Sequence, residues 1–195
     1  VIVVNQCDKD DINEFTFINK KGEQCRAKFI NTTERGLSRS RNMAIQNAWG
    51  DLCLICDDDE LLDDDYADKI SEVFEKHTTN PCILFIIERK DLPHGKKHPQ
   101  KAKVVGFKQI LQSSSVQVVF RREHIIKSGV LFDVMLGSGS GNGGGEDNKF
   151  LLDIKSRGLS VFYVPVQIGA VLPGESKWFD GFTKQNMLNR GWTSR

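Results

Sequence analysis

The chain has 195 residues, 39% of them hydrophobic and 27% charged, which is enough to bury a core in one domain and excludes disorder and collagen-like repeats. Lys and Arg number 27 against 26 Asp and Glu, a formal net charge of +1, so no global field holds nucleic acid or an anionic membrane. Charge-driven chemistry must be local, and seven acids (Asp57, Asp58, Asp59, Glu60, Asp63, Asp64 and Asp65) fall within nine consecutive positions.

Val1-Ile2-Val3-Val4 reads as a buried strand ending at Asn5-Gln6-Cys7-Asp8, and Cys25 to Ile30 as a second strand after the turn at Lys20-Lys21-Gly22. A chain that opens on a strand without Met reads as an excised piece. A helix follows, with Ser38 as N-cap, Met43, Ala44, Ile45 and Ala48 on its apolar side, and Gly50 as its stop. Leu52 to Cys56 is a continuous apolar run of the kind buried on both faces of a parallel sheet, and the acid cluster begins at its carboxyl end. Tyr66, Ile70, Val73 and Phe74 mark an amphipathic helix to about His77, and Cys82 to Ile87 is another buried strand. This alternation predicts an α/β fold, a mostly parallel sheet flanked by helices.

After Glu88 the pattern changes. Residues 90–103 hold two prolines, two histidines and five lysines and read as an exposed loop, Val116 to Phe120 as a strand and Arg121 to Lys127 as a short helix. Six glycines in residues 137–145 make a mobile cover, Glu146 to Ser156 resumes as a helix, Val161 to Val166 closes the core, and residues 177–195 read as a partly packed helix. No repeat or second domain is evident, so residues 1–195 are taken as one domain. The longest apolar run is far short of the roughly 20 residues that cross a bilayer. Five cysteines without framework spacing indicate free thiols in a reducing compartment, and Cys53 and Cys56 point to opposite faces of a strand, against a zinc or redox pair.

In open α/β sheets ligands bind beyond the carboxyl ends of strands, where Asp57, Asp58 and Asp59 stand. Adjacent carboxylates repel unless a cation compensates, and Mg²⁺ or Mn²⁺ takes one or two carboxylates with water and substrate phosphates. Asp63, Asp64 and Asp65 have a plainer explanation as the acidic first turn of the next helix. Glu146 and Asp147 open a helix whose positive dipole end favours the charged form of an acid, which suits a general base, though a capped helix after a flexible linker would look the same. Arg35, Arg39 and Arg41 could bind diphosphate or form a solvated basic face. His94 and His98 are spaced for a helical metal pair, but Pro93, Gly95 and Pro99 oppose a helix there. The lysines around them could contact a phosphorylated acceptor or a membrane surface.

Three stretches in order carry a family resemblance: Gly36-Leu37-Ser38-Arg39-Ser40-Arg41-Asn42-Met43-Ala44-Ile45 with Gly50-Asp51; Leu54-Ile55-Cys56-Asp57-Asp58-Asp59-Glu60; and Phe132-Asp133 followed by Gly145-Glu146-Asp147-Asn148-Lys149-Phe150. The sequence resembles the family 2 glycosyltransferases of the GT-A fold over roughly residues 1–170. The resemblance implies a Rossmann-like nucleotide-sugar-binding domain without the family's first strand and helix, and metal-dependent transfer of a sugar, with inversion, from a nucleotide-diphosphate donor to a glycan or lipid-linked acceptor. It implies Asp59 and Asp57 as ligands of Mn²⁺ or Mg²⁺, Asp57 or Asp58 near the ribose and diphosphate, and Arg41 with Asn5, Gln6 and Asp8 around the nucleotide. Asp147 would be the base, with Glu146 orienting it or the acceptor. Some relatives add a histidine after the last core strand; residues 166–175 have none, leaving water or Glu175 to complete the metal. Polysaccharide or glycolipid synthesis in the cytoplasm, at most peripheral to the inner membrane, is the implied setting. The rivals are a Mg²⁺-dependent nucleotidyltransferase and a non-catalytic nucleotide-sugar or metal-binding module.

Overall fold

A computed structural model describes residues 1–90, 98–140 and 142–171. In chain order the elements are β1 (Ile2–Gln6), β2 (Asp11–Ile18), β3 (Gln24–Thr32), α1 (Leu37–Asn47), β4 (Leu52–Leu54), β5 (Glu60–Leu62), α2 (Tyr66–Lys76), β6 (Cys82–Arg89), β7 (Lys103–Val104), α3 (Phe107–Ile110), a 3₁₀ turn (Ser115–Gln117), β8 (Val118–Arg121), α4 (Arg122–Ser128), α5 (Glu146–Ser156) and β9 (Val161–Val171). They form a three-stranded sheet, β1-β3-β2, and a six-stranded sheet, β4-β8-β6-β9-β5 with β7 against β9.

The larger sheet holds the core. Along β6 the side chains alternate: Cys82 and Leu84 face one hydrophobic cluster, Ile83, Phe85 and Ile87 the other. Strict alternation of apolar residues means that both faces are covered. Ile45 of α1, Ile110, Ile125 and the Phe150, Leu151 and Ile154 stripe of α5 cover the first face, and Ile70, Val73 and Phe74 of α2 the second. The i, i+3, i+4 spacing in α2 and the 150, 151, 154 spacing in α5 are what the helical period requires of one buried side.

Several expectations change. The α/β class holds, but of the seven strand pairings among the described residues only β1–β3 and β6–β9 are parallel. Between β6 and β8 the described residues form β7, the four-residue α3 and a 3₁₀ turn, and β8 inserts antiparallel between β4 and β6. β4 is consequently three residues long and antiparallel to its neighbour, although its sequence reads as a central parallel strand. The first strand is at the edge of the small sheet and half-exposed rather than buried, with Val3 37% exposed. β2, which sequence reasoning left without an element, forms a full antiparallel hairpin with β3.

Gly36, at φ +120°, stands at the N-cap of α1 in place of Ser38, whose hydroxyl donates to the Leu136 carbonyl at 2.7 Å. The helix ends at Asn47 with Ala48 as C-cap, before Gly50. Within the expected strand at 116–120, the first two residues belong to the 3₁₀ turn. The start of the glycine-rich segment lies against α1: the Leu37 N–H donates to the Ser138 carbonyl at 2.9 Å. Gly137 and Gly139 there have φ of +96° and +81°, and a Cβ on Gly139 would sit 3.1 Å from Gly36 Cα. The segment can therefore lie against the start of α1 only because these positions are glycine. β9 runs five residues beyond the expected Val166. His94, Glu175 and the expected helix at 177–195 lie outside the described residues.

Candidate functional site

Three elements that are remote in sequence converge on one open cavity of about 250 Å³, and its lining includes Arg41, Asp57, Asp59, Arg89, Glu146 and Asp147. Arg41 comes from the middle of α1, Asp57 and Asp59 from the turn between β4 and β5, and Glu146 and Asp147 from the first turn of α5. β4, half-buried at the edge of the six-stranded sheet, delivers the acids to the sheet rim, and acids placed there avoid the core.

Arg41 ties the site together. It is 7% exposed; its Nη1 donates to Asp147 Oδ1 at 2.6 Å and lies 3.6 Å from Glu146 Oε1, while Nη2 donates to Asp57 Oδ1 at 3.0 Å and Ser115 Oγ at 2.7 Å. Its guanidinium also sits 5.2 Å from the centroid of Phe132, a ring stacked on Phe150 in the core. Burial opposes the Arg41 charge, but the carboxylates of Asp147, Asp57 and Glu146 outweigh that and push its pKa up. A planar fork with fixed donors can address three carboxylates at once, which a lysine ammonium cannot do with the same geometry.

The acids respond to their setting. Burial raises the Asp57 pKa despite the Arg41 charge beside it, and Asp147 and Asp59 add to the rise. Glu146 is 4% exposed, one of its oxygens has no hydrogen-bond partner, and burial followed by the Asp147 charge raises its pKa. Glu60 accepts a 3.3 Å hydrogen bond from the Asp57 N–H, its other oxygen is buried without a partner, and burial plus the Asp57 charge push its pKa up to about 8. Asp147 Oδ2 accepts the Ser115 N–H at 2.9 Å. Each carboxylate oxygen has two lone pairs, so one protein hydrogen bond at each leaves Asp147 able to accept from a substrate hydroxyl.

The positions predicted from sequence divide into two groups. Arg41, Asp57, Asp59, Glu146 and Asp147 share the cavity, whereas Asn5, Gln6, Asp8 and Asp58 do not line it. Asn5 donates to Asn31 at 2.7 Å, Gln6 donates to Ser40 at 2.6 Å and accepts the Gly36 N–H at 3.0 Å, and Asp8 pairs with Arg35 at 2.7 Å. Arg35 is committed to that pair and to the carbonyls of Cys7, Thr32 and Thr33, so it fixes a turn. Asp63 and Asp65 bind Lys69 and Asp64 binds Lys20, in keeping with a structural role beside α2. Sequence reasoning missed Ser115, which contacts both Arg41 and Asp147, and Arg89. The serine run 113–115 carried no signal, but Arg89 ends a buried strand, the position that flagged Asp57.

Among the described residues no three His, Cys, Asp or Glu side chains are grouped to hold a metal ion. The turn after β4 offers two carboxylates at alternate positions, Asp57 half-buried and Asp59 exposed, both on the cavity. That donor set suits Mg²⁺ or Mn²⁺, whose remaining positions are filled by water and donor phosphates. The five cysteines are all free, and burial pushes the thiols of Cys53 and Cys82 up to about 11 and about 12, so neither is a reactive thiolate. No helix among the described residues is long and apolar enough to cross a membrane.

A sheet flanked by helices, with acids at a strand end facing an acid-led helix across a cavity, is the arrangement expected of the GT-A fold. The chain belongs to Glycosyl transferase family 2, whose profile matches residues 1–131. Solved structures with the same fold include S. aureus TarS 1–349, at 15% identity and a TM-score of 0.62, covering 87% of this chain and 50% of that one. The TarS 1–349 complex with UDP-GlcNAc has a TM-score of 0.61 at 15% identity and covers 80% of this chain and 45% of that one. The complex of TarS 1–349 with UDP has a TM-score of 0.51 at 18% identity over 72% and 44% of the two chains. The chain thus spans about half the length of these structures, and at such identity the likeness is one of fold. No curated protein matches the chain.

Proposed function

We propose that this domain transfers a sugar, with inversion, from a nucleoside-diphosphate sugar to an acceptor hydroxyl, and that Asp147 is the base. The observation that supports this best is the Arg41-centred cluster, in which the strand-end acid Asp57 and the helix-start acid Asp147 are held by one guanidinium beside one cavity. Neither acid alone distinguishes a transferase from a capped helix.

Asp57 and Asp59 would hold Mn²⁺ or Mg²⁺, which when bound offsets charge building on the departing diphosphate. Arg89 lines the same cavity and supplies a cation for the phosphates. Asp147 takes the proton from the attacking hydroxyl; Arg41 and the Ser115 N–H fix the carboxylate so that its free lone pairs face the cavity. Glu146, buried beside Arg41 and Asp147, orients Asp147 or the acceptor. Asn5, Gln6 and Asp8 stand together around the start of α1 and would approach the nucleotide base from the small sheet. The donor set of UDP and GDP sugars, and a glycan or lipid-linked acceptor in polysaccharide or glycolipid synthesis, are the expected substrates.

A screen of UDP and GDP sugars with Mn²⁺, reading nucleoside diphosphate release before and after a chelator, tests the reading. Chelator-sensitive release of UDP or GDP is expected. Release of pyrophosphate would favour a nucleotidyltransferase, and binding of donors without release would favour a non-catalytic module.

A further inference from the structure

A second open cavity, of about 350 Å³, adjoins the first and shares Ser113 with it. Its floor is Leu84, Gln117 and Tyr163 of the six-stranded sheet and its 3₁₀ turn, and its rim carries His98, Lys103 and Lys108. No Asp or Glu is among the described residues lining it. Lys103 and Lys108 are exposed, and neither forms an ion pair among the described residues. The volume is at the low end of the roughly 300–1,000 Å³ typical of small-ligand pockets.

The two cavities carry opposite charge. The first is dominated by Asp57, Asp59, Glu146 and Asp147, which suit a cation and the leaving diphosphate it neutralises. Among the described residues the second presents ammonium groups without compensating carboxylates, and such a concavity concentrates anions. The wall between them is a fixed piece of structure. The Asn148 amide, one residue past Asp147, donates to the Ile110 carbonyl at 2.6 Å and the Ser113 carbonyl at 3.2 Å, which anchors the start of α5 to the segment after α3. The Tyr163 hydroxyl donates to the Pro99 carbonyl at 2.9 Å, and Lys103 is paired to Tyr163 in the β7–β9 ladder, so the basic rim is held against the sheet.

We propose that this cavity seats an anionic group, a phosphate or carboxylate, carried by the acceptor, so that the acceptor is an anionic molecule whose hydroxyl reaches Asp147 past Ser113. The inference rests on the transferase reading above and adds the acceptor's chemical class to it. An anion anchored at Lys103 and Lys108 orients the acceptor without adding a negative charge beside Asp147. The carboxylate-lined cavity alone would repel such an acceptor, so the basic rim also decides which of the two cavities its charged end enters.

The experiment uses the 195-residue chain with whichever donor gives nucleotide release, and three small acceptors that differ in charge: glycerol, glycerol 3-phosphate and glycerate. Transfer to one or both charged acceptors should exceed transfer to glycerol by roughly tenfold, the scale of one favourable charge contact near a surface, and the preference should shrink as salt rises. The phosphate and carboxylate arms separate the two anion types. In the Lys103→Gln, Lys108→Gln double variant the charged-to-neutral ratio should fall to near one. A parallel titration with inorganic phosphate, followed by amide and histidine NMR shifts, should move His98, Lys103 and Lys108 in the parent and not in the variant. Nucleotide release with no charge preference overturns the acceptor assignment and leaves the transferase reading standing. Absence of release from every donor overturns both, even if phosphate binds.

Discussion

The two sheets of this domain are built on different principles, and the candidate site takes its parts unequally from them. Every residue of β6 from Cys82 to Phe85 is at most 1% exposed, buried between helices on both faces. On β2, by contrast, Ile12, Phe15, Phe17 and Ile18 are 59%, 51%, 38% and 65% exposed. The small sheet is held by its ladder and by surface pairing, such as Glu14 with Arg26 and Lys28 and the Arg26 guanidinium 4.5 Å from the Trp49 ring, contacts worth little each in water. The cavity acids belong to the large sheet and to α5 packed on it, whereas Asn5, Gln6 and Asp8 stand on the small sheet. The acids proposed as base and metal ligands are thus placed by burial, and the residues proposed for the nucleotide base by polar contacts. Disruption of the small sheet should weaken donor binding before it touches proton transfer.

The largest effect should come from Arg41→Ala, which leaves Asp57, Glu146 and Asp147 facing one another without their shared cation. A loss of about 3–5 kcal/mol in urea denaturation is expected, the cost of stripping one partner from a buried charge cluster. A loss below about 1 kcal/mol would show that Arg41 does not organise the site. Gly169→Ala probes the same region through backbone: a Cβ there would meet the Leu61 carbonyl oxygen at 2.6 Å and Leu62 Cα at 3.0 Å, pushing β5 off β9. A loss of about 1–3 kcal/mol is expected. Because β5 follows Asp59 directly, Mn²⁺ affinity by calorimetry should fall with it.

Glu60 gives a pH dependence confined to this rim. In the unfolded chain it releases its proton near the ordinary 4.5, but in the fold only near about 8. The folded state therefore binds more protons across that interval, and stability falls as pH rises through it, with the full favourable contribution present below about 4.5. Thermal melts in chelator between these limits should show the decline in the parent and a flatter profile in Glu60→Gln. The smallest effect is expected in the other sheet. Phe15→Ala removes a half-exposed ring and should cost under about 1 kcal/mol, measured in the same urea series.

What was legible in the sequence follows the same division. The boundaries of α2 and α5 and the start of β6, which runs two residues past the expected Ile87, could be read because helical period and continuous apolar runs record burial against a core. The acids at 57–59 were legible because a strand end was legible. β2 was not, since all of Asp11 to Ile18 but its first residue is exposed, so no burial pattern marks it. Nor was the direction of β8, which pairs antiparallel with both β4 and β6. The joining of Asp57 to Asp147 could not be read from residues alone, because it depends on an α1 arginine 106 positions before Asp147 and on the backbone of Ser115. The family resemblance supplied that pairing, and the Arg41 bridge supplies its physical cause. The role of Gly139 was not legible for a related reason: composition records freedom in the unfolded chain, and here the glycine serves a close approach to Gly36 in the folded one.

The most direct test of the central claim is the kinetics of Asp147→Asn with a donor that supports release, measured alongside donor affinity. The amide keeps the size of the side chain and loses the ability to take a proton. Turnover should fall by on the order of 10²–10⁴-fold or more while donor affinity is nearly kept. An unaffected turnover would contradict the assignment of Asp147 as base.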